Sequence, residues 1–234
     1  MSEQNDIIYG VHPVAEALKN PRRKIYSLKA SRNAADRLAA EIAARAITPE
    51  IVHPNVLDRR LGPEAVHQGL LIEAKPLDQP RLDQIDKSGI VVMLDQVTDP
   101  HNVGAILRSC AAFNVTALVA TARHSPESSA VLMKSASGAY EHVPFVKVTN
   151  LARAMAELKD CGFHILGLDS DAPGDIADAS RTPPVAIVLG AEGKGLRQLT
   201  RETCDGLVKL PMNGPIRSLN VSNACAVALY ALTR

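Results

Sequence analysis

The sequence predicts an α/β protein made of a small N-terminal domain and a larger C-terminal one. Two continuous apolar runs, at residues 90–94 and 185–189, are typical of strands that are covered on both faces of a sheet. Strand and helix patterns alternate between and after these runs, which predicts a parallel sheet with helices on both faces. Residues 75–80 carry two prolines and no periodic pattern, as expected of a stiff linker. We therefore place the domains at residues 1–76 and 87–234, with a linker at 77–86.

The predicted N-terminal domain alternates short strands with helices. Pro13 suits the first turn of a helix that ends before Asn20 and Pro21. An alanine-rich helix is predicted at residues 34–46. The predicted strands of this domain lie at residues 25–28, 50–53 and 70–74.

A short basic cluster follows the first predicted helix. Its members, Arg22, Arg23 and Lys24, are consecutive in the chain. They form either a face that contacts phosphate groups or an ordinary solvated surface, which is the commoner meaning of such charges. The residues themselves leave both interpretations open.

The first helix of the predicted C-terminal domain runs from Asn102 to about Phe113 and carries an apolar stripe. Gly104 and Arg108 fall outside that stripe, one turn apart on a shared face. The glycine would clear space beside the arginine, whose guanidinium can hold a phosphate or a carboxylate with two hydrogen bonds. We therefore expect Arg108 to be exposed and available to a ligand.

Strand and helix patterns continue along this domain, and one glycine-rich turn stands out among them. After the strand at 185–189, glycines at 190, 193 and 195 form a turn in which the backbone can approach a ligand closely. Their spacing fits neither GxGxxG nor a phosphate-binding loop, so a standard dinucleotide or nucleotide site is disfavoured. The other predicted elements are strands at 117–120, 145–148 and 164–168 and helices at 128–137 and 151–161, the second capped by Asn150.

Residues 210–224, LPMNGPIRSLNVSNA, form a loop between a short strand and the last helix. Ser218 is a good N-cap for a helix at residues 219–232. Such a junction offers backbone groups and short polar side chains to a small ligand. The alternative is an ordinary N-cap followed by a core helix. The polar side chains in question are those of Ser218, Asn220, Ser222 and Asn223.

Composition limits the classes of function. The 234 residues are 46% hydrophobic and 22% charged, as in a folded globular protein. A net charge of +1 excludes a generally polycationic binder, and 3% aromatic residues disfavour base stacking as the main source of affinity for any nucleic acid. Because the sequence has no long apolar run and no signal-like start, we expect a cytoplasmic protein. The histidine and cysteine spacings do not indicate a metal site.

Three ordered segments resemble the motifs of the SpoU family, also called the TrmH family, of RNA ribose 2′-O-methyltransferases. They are DPHNVGAILR at residues 99–108, VLGAEGKGL at 188–196 and the segment at 210–224. The N-terminal part, from YGVH at 9–12 to VHQG at 66–69, is similar to the small substrate-binding domain of one branch. That branch methylates a guanosine of 23S ribosomal RNA. Three motifs in order are a far more specific signal than any one alone.

The resemblance implies a fold, a cofactor and partners. The C-terminal domain would be a SPOUT-type α/β domain with a deep trefoil knot, and the N-terminal domain would be similar to ribosomal protein L30e. S-adenosylmethionine would be the methyl donor, and 23S ribosomal RNA would be the substrate. A homodimer would form through the C-terminal domain, and neither a metal nor a membrane would take part.

The resemblance also implies site residues. The motif positions give a catalytic set of Asn102, Arg108, Glu192, Ser218 and Asn220. The cofactor would be held by Leu189, Gly190, Leu210, Met212, Ser218 and Leu219. RNA would be contacted by Arg22, Arg23, Lys24 and Arg108. We assign a phosphate clamp to Arg108, because a guanidinium is a poor proton acceptor, and leave the general base open.

Two positions depart from the commonest family pattern. Asn223 stands where the family more often has a small apolar residue, which bears on the cofactor contacts, and Arg217 stands where an acidic residue is frequent, which bears on the RNA target. The alternatives are a transfer RNA methyltransferase and a non-catalytic RNA-binding assembly factor of the same fold. The type of N-terminal domain disfavours the first, and the intact polar motif residues disfavour the second.

Overall fold

A computed structural model describes residues 5–124, 129–179, 184–215 and 218–234. The chain divides into two compact units, one formed by Met1–Asp78 with Glu127–His142 and the other by Gln79–Pro126 with Val143–Arg234. None of the described helices is both long enough and apolar enough to cross a membrane.

The elements follow the strand and helix alternation that the sequence predicts. In chain order they are β1 (Asp6–Tyr9), α1 (Val11–Lys19), β2 (Ile25–Ala30), α2 (Arg32–Arg37), α3 (Ala39–Arg45), β3 (Glu50–Ile51), α4 (Pro54–Leu61), β4 (Leu70–Ala74), β5 (Ile90–Asp95), α5 (Pro100–Ala112), β6 (Ala117–Thr121), α6 (Ala130–Ala136), β7 (Phe145–Val148), α7 (Leu151–Asp160), β8 (His164–Leu168), β9 (Gly174–Asp175), β10 (Val185–Gly190), α8 (Gln198–Thr203), β11 (Gly206–Lys209) and α9 (Val221–Leu232).

The first unit is built on a four-stranded sheet in the order β1-β4-β2-β3. One face is covered by α1 and by the helices at 32–45, whose apolar side chains share a core with Ile8, Leu28 and Ile72. The predicted helix at 34–46 is two helices, because the backbone leaves the helical conformation at Leu38. Helix α4 was not predicted, since Leu57 is its one buried residue and it shows too little apolar periodicity.

The segment Glu127–His142 clusters with the first unit, although it lies between β6 and β7 in the chain. Helix α6 within it packs against β1 and α1, and Leu132, Met133 and Ala136 are buried. The sequence pattern predicted this segment to belong to the C-terminal domain, because strand and helix periodicity does not report which sheet a helix covers. The N-terminal unit is therefore discontinuous in sequence.

The second unit is built on a seven-stranded sheet in the order β7-β6-β5-β10-β8-β11-β9, with parallel pairing throughout. The predicted parallel α/β fold is confirmed. Strands β6 and β7 lie on one side of the central pair β5 and β10, and strands β8, β11 and β9 lie on the other side. In such sheets ligands bind where the order reverses, at the carboxyl ends of the strands. Asp95 and Gly190, the paired last residues of β5 and β10, mark that point.

Candidate active site at the carboxyl ends of the sheet

A cavity of about 240 Å³ lies in the second unit at the carboxyl ends of β8 and β10, under the loop that follows β11. All six residues that the sequence analysis assigned to a cofactor line this one cavity. The lining residues include Leu168, Asp169, Ser170, Leu189, Gly190, Ala191, Glu192, Gly193, Gly195, Leu210, Met212, Ser218, Leu219, Val221 and Ala224.

The loop from β10 to α8 forms a tight turn at the edge of the cavity. The Gly195 amide donates to the Ala191 carbonyl at 2.8 Å, and Gly193 and Gly195 adopt left-handed φ angles of 76° and 63°. A Cβ atom on Gly190 would lie 2.2 Å from the backbone of Gly195, so only glycine allows this approach. The turn therefore presents backbone groups to the cavity at close range.

A buried carboxylate fixes the far end of the same loop. Asp95, at the end of β5, is fully buried and accepts hydrogen bonds from Arg197 Nε at 2.6 Å and from the Arg197 amide at 2.9 Å. Ion pairs of this kind hold backbone in place because both the charge and the amide are satisfied at once. The pair of Asp95 and Arg197 was not predicted from the sequence.

Three predicted catalytic residues, drawn from the three motifs, meet in one hydrogen-bonded cluster. Asn220 Nδ2 donates to Glu192 Oε1 at 2.6 Å and to Asn102 Oδ1 at 3.0 Å, and Asn102 Nδ2 donates to Glu192 Oε1 at 3.2 Å. The Val221 amide also points at Glu192 Oε1, at 3.4 Å. Glu192 lines the cavity, so the cluster stands beside it.

The helix caps differ from those that the sequence predicts. Helix α9 begins at Val221, and Asn220 caps it by accepting from the Ser222 amide at 2.9 Å, so Ser218 is not the cap. Helix α5 begins at Pro100 and is capped by Asp99, so Asn102 lies inside the first turn. Proline suits the first position of a helix, which explains the earlier start. Both changes leave the motif asparagines with hydrogen-bonding roles in the cluster.

Arg108 is exposed as predicted, but its surroundings differ from the prediction. Gly104 is buried, because α5 packs against α9 as well as against the sheet, and so it does not share an open face with the arginine. Arg108 makes no hydrogen bond or ion pair within the described ranges. Six residues of helix place Arg108 about 9 Å along α5 from Asn102 and about 120° around it. Within a single chain, Arg108 therefore lies away from the cluster of Asn102, Glu192 and Asn220.

The contribution of β8 to the cavity was not predicted from the sequence. Asp169 and Ser170, which follow β8, line the cavity, and Asp169 is ion-paired with Arg201 of α8. Strand β8 pairs with both β10 and β11, so its carboxyl end has to meet the other two loops. The predicted strand at 164–168 was therefore a usable signal, but its neighbours in the sheet were unknown. Asn223 is exposed and does not line the cavity, and Arg217 lies outside the described residues.

The basic cluster at residues 22–24 separates into two kinds of residue. Arg22 and Lys24 are exposed, whereas Arg23 is fully buried and ion-paired with Asp6 and Glu141, both at 2.6 Å. Burial alone would lower the pKa of Arg23, but the hydrogen bonds and charges of Glu141, then of Asp6, outweigh it and raise the pKa. Arg23 is thus a structural residue of the first unit, which corrects its assignment to RNA.

The described residues contain no group of three or more histidine, cysteine, aspartate or glutamate side chains arranged to hold a metal ion.

The three motifs that resemble the SpoU family, the cavity at the strand ends and the cluster that joins the motifs point to an RNA methyltransferase of that family, and the family comparisons agree. Residues 89–230 match the SpoU rRNA Methylase family, and residues 7–80 match the family described as RNA 2'-O ribose methyltransferase substrate binding. The chain belongs to the SpoU rRNA Methylase family.

Relatives match the chain along nearly its whole length. The 23S rRNA (guanosine-2'-O-)-methyltransferase RlmB of Vibrio vulnificus is 41% identical over 98% of this chain and 97% of its own. RlmB of Pseudomonas putida is 36% identical over 99% of this chain and 97% of its own. Among solved structures, the SpoU methyltransferase AviRb from Streptomyces viridochromogenes in complex with AdoMet superposes with a TM-score of 0.82 at 24% identity, covering 98% of this chain and 89% of AviRb. The structural likeness shows the shared fold.

Proposed function

We propose that this protein transfers the methyl group of S-adenosylmethionine to a ribose 2′-hydroxyl of 23S ribosomal RNA, at a guanosine. The observation that carries the proposal is the cluster of Asn102, Glu192 and Asn220 beside the cavity. Relatives that carry the name of this activity, at up to 41% identity over nearly the whole chain, support the choice of substrate. Work on ribosomal RNA would place the protein in the cytoplasm.

The cavity fits an adenosine-containing cofactor. Apolar side chains such as Leu189, Leu210 and Val221 line it together with the backbone of the turn at 190–195. Ligand sites typically combine such apolar walls with a few backbone hydrogen-bonding groups. When bound, S-adenosylmethionine supplies a methyl group on a positively charged sulfur. The residues we assign to hold it are Leu189, Gly190, Leu210, Met212, Ser218 and Leu219.

The cluster orients the accepting ribose. Asn220 is fixed because its Oδ1 accepts from the Ser222 amide and hydroxyl while its Nδ2 donates to Glu192 and Asn102. The Glu192 carboxylate sits near the amide end of α9, where the helix dipole favours negative charge. A carboxylate held in this way can accept a hydrogen bond from the 2′-hydroxyl and align its oxygen for attack.

Arg108 acts on the RNA phosphate from a second copy of the chain. It is exposed, and helix geometry holds it away from the cluster of its own chain. Helix α9 packs against α5 and leaves Val227 and Tyr230, one turn apart, 46% exposed each. Leu219, before α9, is also exposed. An apolar stripe of this kind is suited to burial against a second copy, and a dimer across it would bring the partner's α5 near the site.

RNA is recruited by the first unit through its exposed basic residues. Arg22 and Lys24 remain candidates, since both side chains are accessible. Their contribution is electrostatic and therefore depends on salt. Residues 7–80 match a family named for RNA substrate binding, which supports this role.

The test is methyl incorporation. Tritiated S-adenosylmethionine and unmodified 23S ribosomal RNA should give label in the RNA, at a linkage that resists alkali as a 2′-O-methyl group does. Label on a base would refute ribose methylation, and label only in transfer RNA would mean that the substrate is transfer RNA and not 23S ribosomal RNA. A protein that binds RNA but incorporates no label under any condition would instead support the non-catalytic alternative.

The dimer has its own test. Mixing Arg108→Ala with Asn220→Ala subunits should restore up to about a quarter to a half of wild-type activity if Arg108 enters from the partner, because one site per mixed dimer is intact. If both residues of a site came from one chain, the mixed dimer would stay inactive. Tyr230→Asp should give a monomer by light scattering, and a wild-type protein of 25.0 kDa in solution would remove the dimer from the proposal.

A further inference from the structure

A second cavity opens at the carboxyl ends of β6 and β7, in the same unit as the first. Its volume is about 250 Å³. The loop that follows β10 contributes to both cavities, with Gly195 lining the first and Arg197 lining the second. The second cavity is lined by Thr121, Arg123, Thr149, Asn150, Leu151, Ala152, Arg197, Leu199 and Thr200.

A buried hydroxyl in this cavity lacks a partner. Thr121, the last residue of β6, is 6% exposed, and its Oγ1 atom has no hydrogen-bond partner in the described part of the chain. Leaving a buried polar atom unsatisfied is unfavourable, so native proteins rarely do so without a reason. A ligand group that reaches Thr121 from the cavity would remove this cost.

Helix α7 begins at the same place. It has ten residues, and its N-cap Asn150 accepts from the amide of the third, Arg153. A helix cannot satisfy its own first amides, so those of Leu151 and Ala152 remain as donors at the cavity wall. The first turn contains no acidic residue, which leaves the positive end of the helix dipole uncompensated.

The charges of the cavity favour an anion. Arg123 and Arg197 are cationic, and the described lining residues include no carboxylate. Arg197 is paired through Nε with Asp95, which fixes its position, whereas Arg123 makes no ion pair within residues 5–124, 129–179, 184–215 and 218–234. Amide donors, a hydroxyl and arginine are the groups that bind phosphate.

We propose that this second cavity is a phosphate subsite, and that it holds a backbone phosphate of the RNA substrate while the ribose is methylated in the first cavity. The inference rests on the proposed function for the identity of the RNA. The Thr121 hydroxyl and the α7 amides donate to the phosphate oxygens, and Arg123 supplies the charge. Because the loop at 190–197 borders both cavities, the subsite sets the register of the RNA strand relative to the cofactor.

Thr121→Val is the most discriminating variant, because it removes the hydroxyl and keeps the shape. The full-length variant should melt at a higher temperature than wild type in the absence of RNA, since an unsatisfied buried group is gone. Its affinity for unmodified 23S ribosomal RNA should fall about five- to tenfold, with S-adenosylmethionine affinity unchanged. A purely structural threonine would give the opposite result: a lower melting temperature and unchanged RNA affinity.

Arg123→Ala tests the charge. RNA affinity should fall about tenfold, and the slope of log affinity against log salt should decrease by about 0.7 to 0.9, as expected for one lost phosphate contact. Arg153→Ala is the matched control, because Arg153 lies on α7 outside the cavity and pairs with Glu157. Equal losses in Arg123→Ala and Arg153→Ala would mean that only general surface charge is involved, which would overturn the subsite.

A binding experiment with inorganic phosphate distinguishes two possible ligands of the second cavity, an RNA backbone phosphate and a free anion. If millimolar phosphate stabilises wild type but not Thr121→Val, and RNA affinity is the same in both, the cavity serves a free anion and the assignment to RNA fails. If wild type binds RNA with the predicted differences between variants but incorporates no methyl group, the proposed function fails and the subsite stands.

Discussion

Two polar clusters in this chain each hold one charged side chain between two polar partners, but one cluster is buried and the other is open to solvent. In the first unit, Arg23 lies between Asp6 and Glu141, and all three side chains are buried. In the second unit, Glu192 lies between Asn102 and Asn220 beside an open cavity, with Glu192 and Asn220 exposed. Each cluster joins one pair of residues that are far apart in sequence, by 118 positions for Arg23 and Glu141 and by 90 for Asn102 and Glu192.

The difference shows how the surroundings decide what a polar cluster does. Arg23 uses its Nε, Nη1 and Nη2 on Asp6, Glu141 and the Lys75 carbonyl, so no ligand can reach it and its charge serves folding. Glu192 accepts from Asn102 and Asn220 but remains open to solvent, so its remaining capacity is available to a ligand. We expect substitutions in the first cluster to reduce stability and those in the second to reduce activity.

The largest expected effect is on stability. Arg23→Ala should lower the free energy of unfolding by about 3–5 kcal/mol, because it removes the cation shared by two buried carboxylates. Urea denaturation measures the change. Arg22→Ala is the control, since its side chain is exposed, and should stay within about 0.5 kcal/mol of wild type. An Arg23→Ala protein as stable as Arg22→Ala would contradict the assignment of Arg23 to folding.

The next effect is on catalysis. Glu192→Gln should reduce kcat about 100-fold, or about 2.7 kcal/mol, because the cluster loses the charge around which Asn102 and Asn220 are oriented. Stability should be nearly unchanged, since Glu192 is exposed. Glu202→Gln makes the same chemical change at an exposed position of α8 and should leave kcat unaltered. Loss of stability in place of activity would erase the contrast between the two clusters.

The sequence predicted most of the strands of the second unit, whereas the assignment of residues to a cofactor stays a prediction. Strands of continuous apolar residues are recognisable one by one, and the strands at 145–148 and 164–168 coincide with β7 and β8. The six predicted cofactor residues share one cavity because the motifs follow strands whose carboxyl ends meet. The trefoil knot implied by the family stays a prediction.

What the sequence did not predict depends on long-range partners. Arg23 and Arg22 are indistinguishable in a basic run, and only the positions of Asp6 and Glu141 separate them. Glu141 comes from a segment more than a hundred residues later, and local periodicity carries no information about such pairs. The helix caps at Asp99 and Asn220 were missed for a milder reason, since several neighbouring residues have equal capping propensity.

An intermediate effect is expected where a buried pair supports the site. Asp95→Asn should weaken S-adenosylmethionine binding about tenfold, or 1.4 kcal/mol, because the loop at 190–197 loses its charged anchor on Arg197. Calorimetry without RNA measures the affinity. Arg197→Gln should have a similar effect, and the double variant should be no worse than either single one, because both remove the same interaction. Additive losses would show that the two residues act separately.

The smallest effect on stability is expected at the partly exposed ion pair of Asp205 and Lys159, which is less buried than the Arg23 cluster and less exposed than the Glu192 cluster. Asp205 accepts from the Ile165 amide at 2.8 Å and pairs with Lys159 at 2.7 Å, and its side chain is 31% exposed. Burial alone would raise the pKa of Asp205, but hydrogen bonds from Lys159 and Ile165 and the charges of Lys159 and His164 outweigh it and lower the pKa. Because the folded pKa lies below the unfolded one, the stabilisation is present above about pH 4 and disappears as pH falls through the folded value.

Asp205→Asn should therefore be less stable than wild type by about 0.5–1 kcal/mol at pH 7, and the two should converge towards pH 3. Urea denaturation at pH 7, 5, 4 and 3 measures the difference, with Asp160→Asn as an exposed control that should match wild type at every pH. A difference for Asp205→Asn that stays constant down to pH 3 would mean that its charge contributes nothing and that the hydrogen bond to the β8 backbone stabilises the protein in either protonation state.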